Sequence, residues 1–367
     1  MSLVVAGLAG CGATSGPQLA VVAKGLANPR QMSFGPDGVL YVAEAGAGGH
    51  ERCASAPDTK ARVCVGAGGS ILALKGGVVR PVVTGLPSAA GAGGGEASGV
   101  ADVVVSRGRL VFVVQDTYID NAGANQFGAA GKDLGRLLSV PVSGGSPRAL
   151  ADLARFEARQ NPDHGAGAGT SVPDAIESDP YGLAAFRGGF VVADAATNDL
   201  LWVTRSGQIR VLAVFPLQYE TLPSVGGRPG KRLAVQSVPT SVAIGRDGAI
   251  YVGELSGYPF QPGFARIWRV TPGHRATVYA RGFTNISSIA FDRRGRLLVL
   301  EIDRLGLLDT HASGELVRLD GPKRRSVLAT TGLLYPTGVA IAPNGAIYIS
   351  NNGTAAAGGE IVRVPAD

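Results

Sequence analysis

The chain has 367 residues, of which 45% are hydrophobic and 17% charged, a balance that allows a large core and excludes an intrinsically disordered protein. Its 55 glycines fall at turns and loops without a collagen-like period, so a fibrous chain is excluded as well. The net charge is +6, much of it on one set of turns, and no linker divides the chain into two domains.

In chain order, residues 2–11 (SLVVAGLAGC) are a short apolar run ending in small residues and Cys11. They resemble the end of a bacterial lipoprotein signal, which would make Cys11 a lipidation site; the alternative is an apolar disordered tail. The run is too short to span a bilayer. Residues 12–18 read as a tether, so residues 1–18 stand apart from a single domain at 19–367.

Residues 19–26 (LAVVAKGL) have the pattern of an outermost strand without the strands that should precede it. A hairpin phrase follows at residue 28, NPRQMSFGPDGVLYVAE, and recurs from residues 98, 179, 238, 285 and 335. The copy at 238, VPTSVAIGRDGAIYVGE, shows it best: an apolar strand, a turn on Arg246-Asp247-Gly248 and a second strand ending on a carboxylate. Asp and Gly there tolerate the left-handed backbone that a two-residue hairpin turn demands. Behind it come ARIWRV, a Pro-Gly turn and TVYARGF, so each unit has four antiparallel strands, A to D.

Six such units at a spacing of roughly 45 residues predict an all-β, six-bladed β-propeller of the NHL-like kind. The last unit stops after its strand C (GEIVRV), so residues 19–26 should complete it and close the ring. Between strands B and C of the first unit an insertion carries Cys53 and Cys64 at no metal-ligand spacing. They form either one disulfide or two buried thiols. Long Gly-, Pro- and Asn-rich segments, from 96–120 to 161–178 and at 215–236, read as further loop insertions of the kind that carry function.

From about Gly25 onward the chain resembles the ScyD/ScyE-type proteins, first associated with assembly of the cyanobacterial sunscreen scytonemin. The stretches that carry the resemblance are NPRQMSFGPDGVLYVAEAG, DLARFEARQNPD, SDPYGL, VPTSVAIGRDGAIYVGELSGYPF and YPTGVAIAPNGAIYISNNG. The resemblance implies an extracytoplasmic, NHL-like propeller with no established catalytic residues to carry over, binding a small molecule or a protein partner at its mouth.

The alternative is an enzyme whose chemistry sits at the hub, a hydrolase, lyase or oxidoreductase. Propellers of the gluconolactonase and strictosidine-synthase type hold a metal or a catalytic acid near the start of the A strands. The matching positions here are Arg30, Tyr181, Thr240, Ser287 and Thr337, and none is a carboxylate, amide or imidazole.

A second pattern is acidic. The B strands end in Glu44, Asp194, Glu254, Glu301 and Asn351, with Gln115-Asp116 in the second unit. By repeat symmetry these make a ring around one mouth, beside Arg30 and Tyr258. Such a ring could bind a divalent cation or hold one carboxyl protonated as a general acid; otherwise each acid caps backbone amides at its own strand end. His50, His164 and His311 lie in loops on that same face and are weak metal candidates beside a solvated reading. No cofactor is required, and no nucleophile elbow, phosphate loop or HExxH pattern occurs.

The opposite face collects basic turns, among them Arg246, Arg293, Arg294, Lys323, Arg324 and Arg325, and the N-terminal strand must start there. Peripheral association with an anionic membrane, by lipid anchor and basic face together, is the partner expectation. A nucleic-acid partner is not expected, and the protein should be a monomer.

Overall fold

The computed structural model describes residues 19–365 apart from 57–59, 116–118, 120–122, 166–175, 222–229, 231 and 312. Cys11 and Asp116 therefore lie outside the described residues.

Six antiparallel sheets form the blades, five of four strands and that of blade 1 with a fifth, each running A to D outward. Blade 4 is typical: Pro239–Ile244, Ile250–Glu254, Ala265–Val270 and Thr277–Phe283 pair in sequence order. Blade 6 is assembled from both ends of the chain. Its strands Gly338–Ile341, Ile347–Asn351 and Gly359–Val364 are completed by Ala20–Leu26, which pairs antiparallel with Gly359–Val364. The ring thus closes as the repeat pattern requires, leaving no open sheet between first and last blade.

The core follows from strand periodicity. In a strand buried on both faces, successive side chains serve two different neighbours. Leu297 and Val299 of blade 5 pack against blade 4, while Leu298 and Leu300 pack against blade 6. The same division recurs around the ring, so the core is six apolar wedges, one in each gap between blades. This is why the B strands read as unbroken apolar runs.

The A–B turns come in two kinds. Blades 2 and 3 use the expected two-residue loop, Arg107-Gly108 and Arg187-Gly188, with φ of 51°, 72°, 44° and 78°. The Asp-Gly turns are different, which corrects the two-residue expectation for Arg246-Asp247-Gly248. Gly248 N–H donates to Gly245 O at 2.9 Å and Gly245 N–H to Ala249 O at 2.9 Å, giving a three-residue loop in which only Gly248 is left-handed. The Asp247 carboxylate accepts from Ala249 N–H at 3.2 Å and so favours this turn, a type I turn closed by a glycine bulge.

Two insertions carry added structure. In blade 1, Arg52–Ser55 pairs with the extended strand Arg62–Lys75, and Cys53 faces Cys64 across that pair in a disulfide. After strand D of blade 2 a helix, Leu153–Gln160, begins on Asp152, whose carboxylate accepts from Arg155 N–H at 3.0 Å. The stretch DLARFEARQ, read from sequence as part of a loop, is that cap and helix. A hairpin, Gln218–Thr221 with Arg232–Val235, reaches blade 4 where Gln218 Nε2 donates to Glu254 at 2.7 Å.

Candidate functional site

The B–C and D–A connections share one end of the ring, the loop face; the A–B and C–D turns share the other, the turn face. The residues singled out in the sequence divide between them and the hub.

On the loop face each B-strand acid is engaged inside its own blade. Glu44 accepts from Ala27 N–H at 2.7 Å and Ser70 Oγ at 2.5 Å. Asp194 accepts from Asp179 N–H at 2.6 Å and Ser178 Oγ at 2.7 Å, and Glu301 from Thr284 N–H at 2.7 Å. Asn351 accepts from Leu334 N–H at 2.8 Å and donates to Gly332 O at 3.0 Å. Apart from Ser70, which is on strand C, these partners sit where strand D turns into the next strand A, so the side chains clamp that connection. Glu254 is bound entirely by side chains: its carboxylate accepts from Gln218 Nε2 and Trp268 Nε1, both at 2.7 Å, Ser237 Oγ at 2.6 Å and Arg266 Nε at 3.1 Å.

At Glu254 and Glu301 burial still dominates the titration. It pushes both up to about 7 against the hydrogen bonds that favour the charged form. The repeat also slips by one residue in blade 2: Val100 pairs with Val114 as Pro29 pairs with Glu44. The buried Val114 therefore holds the acid position, and Gln115 instead donates from Nε2 to Asp179 at 2.9 Å. Among the described residues no three His, Cys, Asp or Glu side chains come together as a metal-binding group. His50, His164 and His311 are exposed, with His311 held by Asp309 at 3.0 Å, and Tyr258 stands 59% exposed. Around Asp194, blade 3 gathers acids that the repeat pattern did not foretell. Asp199 of strand C and Asp179 just before strand A are joined by Glu157 of the helix, and burial pushes Asp179 to about 7 and Glu157 to about 8.

At the hub the start of each A strand is a seal. Thr240 Oγ1 donates to Ile286 O at 2.6 Å, Ser287 Oγ to Pro336 O at 2.8 Å and Thr337 Oγ1 to Pro29 O at 2.6 Å, each reaching into the following blade. Arg30 is buried and donates to Gly353 O and Ala97 O at 2.6 and 2.7 Å. Arg30, Thr240, Ser287 and Thr337 thus fasten one part of the ring to the next. Tyr181 occupies the corresponding place in blade 3, where burial raises its hydroxyl pKa.

One residue further in, a polar layer crosses the hub. Gln31 of blade 1 reaches blade 5, donating from Nε2 to Ser287 O at 2.7 Å and accepting from Ser288 Oγ at 2.6 Å. Asp102 of blade 2 accepts from Val103 N–H and from Leu183 N–H of blade 3, both at 2.7 Å, and its burial holds its pKa well above the usual carboxylate range. Beyond this layer lies a cavity of about 410 Å³ lined by A-strand residues of all six blades. Its far walls are Phe34, Val105, Ala185, Ile244, Phe291 and Ile341, the partly or fully exposed residues leading into the A–B turns. Arg30, Thr240, Ser287 and Thr337 at the other end are buried. The cavity therefore opens on the turn face and is closed toward the loop face.

Sequence reading missed Gln31, Asp102 and Ser288. It located the hub by counting one residue from the repeat's proline, but a bulge follows that residue in five blades and turns the next side chain toward the axis. A polar residue two places after the proline position was the available signal.

Fold and hub together define a six-bladed β-propeller. No family model and no curated protein matches the chain. In fold it is similar to a structural-genomics protein of unknown function from Bacteroides thetaiotaomicron, at 11% identity over 95% of this chain and 72% of that one, TM-score 0.52. It is also similar to a luciferin-regenerating enzyme, at 9% identity over 96% of both chains, TM-score 0.52. A streptogramin B lyase aligns at 12% identity over 95% of this chain and 97% of that one, TM-score 0.48. At such identities the likeness is one of fold.

Proposed function

We propose that the protein is a binding propeller that works outside the cytoplasm and takes a small organic molecule into its hub from the turn face. The observation that carries this reading is the six-walled cavity of about 410 Å³, a size suited to a small ligand. Among the described residues lining it, Asp102 is the one acid or base, and both its oxygens already accept backbone N–H groups. That arrangement supports holding a ligand over moving protons. The Cys53–Cys64 disulfide supports an oxidising compartment. A ScyD/ScyE-like place in the assembly of a secondary metabolite rests on the five sequence stretches and is the finer part of the proposal.

The test is a thermal-shift screen of small metabolites against wild type and Ala185→Trp. Ala185 is exposed at the cavity opening, so an indole there should block entry while the fold persists. Ligands should raise the Tm of wild type alone. A ligand that binds both proteins equally and responds to Tyr258→Ala or another loop-face change would move the site to the loop face.

A further inference from the structure

The hub cavity does not end at the A strands. At Phe34, Phe291 and Ile341 it continues into a rim recess of about 400 Å³, lined also by Arg293, Pro36 and Pro343 between the turns of blades 5, 6 and 1. The rim around this opening is unevenly charged. Its A–B turns carry the exposed Arg107, Arg187, Arg246, Arg293 and Arg294, against the acids Asp37, Asp247 and Asp292. Two of those acids are already paired with arginines outside this set, Asp247 with Arg269 at 2.8 Å and Asp292 with Arg296 at 2.6 Å. Asp37 alone remains to offset five guanidinium groups. Arg293 lines the recess, and Arg246 of the preceding blade donates from Nη2 to Arg293 O, which places a second cation beside that turn.

The interior has the complementary character. Each A strand is the innermost of its sheet, so one backbone edge faces the axis, between side chains such as Val105, Ile244 and Ile289. A guest there meets apolar surface together with backbone donors and acceptors. At the closed end Gln31 and Ser288 satisfy each other and the Asp102 carboxyl accepts two backbone N–H groups, so the guest's inner end meets polar groups that already have partners.

From this geometry we infer that the ligand is an amphiphilic organic anion: an apolar, largely planar body in the hub, and one carboxylate, sulfonate or phosphate group outward at the rim against Arg293 and Arg246. This inference rests on the hub reading and adds to it the chemical class of the ligand. A guanidinium pair suits an oxyanion because its planar donors match the acceptor geometry. The low-dielectric mouth strengthens that attraction relative to bulk water.

Two fluorescent probes of nearly the same body test it: anilinonaphthalene sulfonate, an anion, and N-phenylnaphthylamine, its neutral counterpart. Wild type should bind the sulfonate saturably at one site, with affinity falling as salt rises. The double variant Arg246→Glu/Arg293→Glu, whose changes lie on exposed turns, should weaken the sulfonate by about tenfold or more and the neutral probe by no more than about twofold. Ala185→Trp should remove both. If wild type binds the two probes alike and the double variant changes neither, while Ala185→Trp still removes them, the anion class is wrong and the hub site stands. If Ala185→Trp leaves both probes bound, the hub reading fails with it. Circular dichroism of each variant at the wild-type strand signal establishes that it is folded.

Discussion

Glu254 shows how one side chain can look functional in a sequence and act in the fold. Its carboxylate gathers four donors from three separate segments, including the buried indole of Trp268 and the guanidinium of Arg266. Removing it leaves a largely buried cation and three polar groups without their acceptor. Glu254→Ala is therefore expected to cost about 3–5 kcal/mol, measured by urea denaturation, while the affinity of a hub ligand per folded molecule stays unchanged. A loss below about 1 kcal/mol would mean the cluster contributes little to stability. The buried acids also make stability depend on pH with a definite sign. Asp179, Glu254 and Glu301 are pushed to about 7 and Glu157 to about 8, so the folded state holds protons that the unfolded chain releases near 4. The contribution of these groups should be fully present below about pH 4, decline as pH rises to about 8, and level off beyond. Melting temperatures across that range check it; a rise toward pH 8 would contradict it.

At the scale of elements, two glycines separate turn chemistry from packing. Gly248 has φ of 73° with open space where a Cβ would go, so Gly248→Ala should cost only about 1 kcal/mol of backbone strain. Gly338 begins the A strand of blade 6, and a Cβ there would lie 2.5 Å from Arg30 O and 2.9 Å from Gln31 Cα. Gly338→Ala must push the first and last blades apart where the ring closes, and should cost roughly 2–3 kcal/mol, read from the same urea transitions. The disulfide belongs to a different element. Cys53–Cys64 closes a hairpin in the insertion of blade 1, whose Ala54, Val63 and Val65 reach the wedge between blades 1 and 2 while the strand Leu40–Glu44 lies further in. Reduction should raise amide exchange in Arg52–Ser55 and leave exchange in Leu40–Glu44 nearly unchanged, since local opening at an edge need not involve the core. Uniform loosening of blade 1 would show that the bond supports the ring itself.

The whole molecule depends on one non-local pairing, Ala20–Leu26 with Gly359–Val364, which joins the two ends of the chain. Ala23 and Leu26 are buried in the wedge between blades 6 and 1, against Met32, Leu40 and Ile361. Deleting residues 1–18 should leave the melting temperature within about 2 °C, whereas deleting residues 1–26 removes a strand, opens a wedge and exposes a sheet edge. The longer deletion is expected to yield aggregated or unfolded protein in the soluble-fraction assay. Equal melting temperatures for the two truncations would show that the ring does not need its closing strand.

Blade number, strand order and closure were all legible in the sequence, because each is written in a local pattern repeated six times: alternation of apolar residues, a turn signal, and an orphan strand matched to an incomplete unit. The disulfide was legible as one of two alternatives, and the structure shows it formed. What local pattern could not decide is direction. Glu44, Asp194, Glu254 and Glu301 recur at one strand position, and repetition suggested a shared ring. Whether a side chain at that position faces an open mouth or its own blade depends on where strand C and the D–A connection bring their donors, as Ser70 Oγ and Ala27 N–H do for Glu44. The polar layer of Gln31, Asp102 and Ser288, and the opening of the hub on the turn face, arise only when six bulged strands stand side by side. Those are contacts between residues up to 257 positions apart, and no segment of the chain contains them.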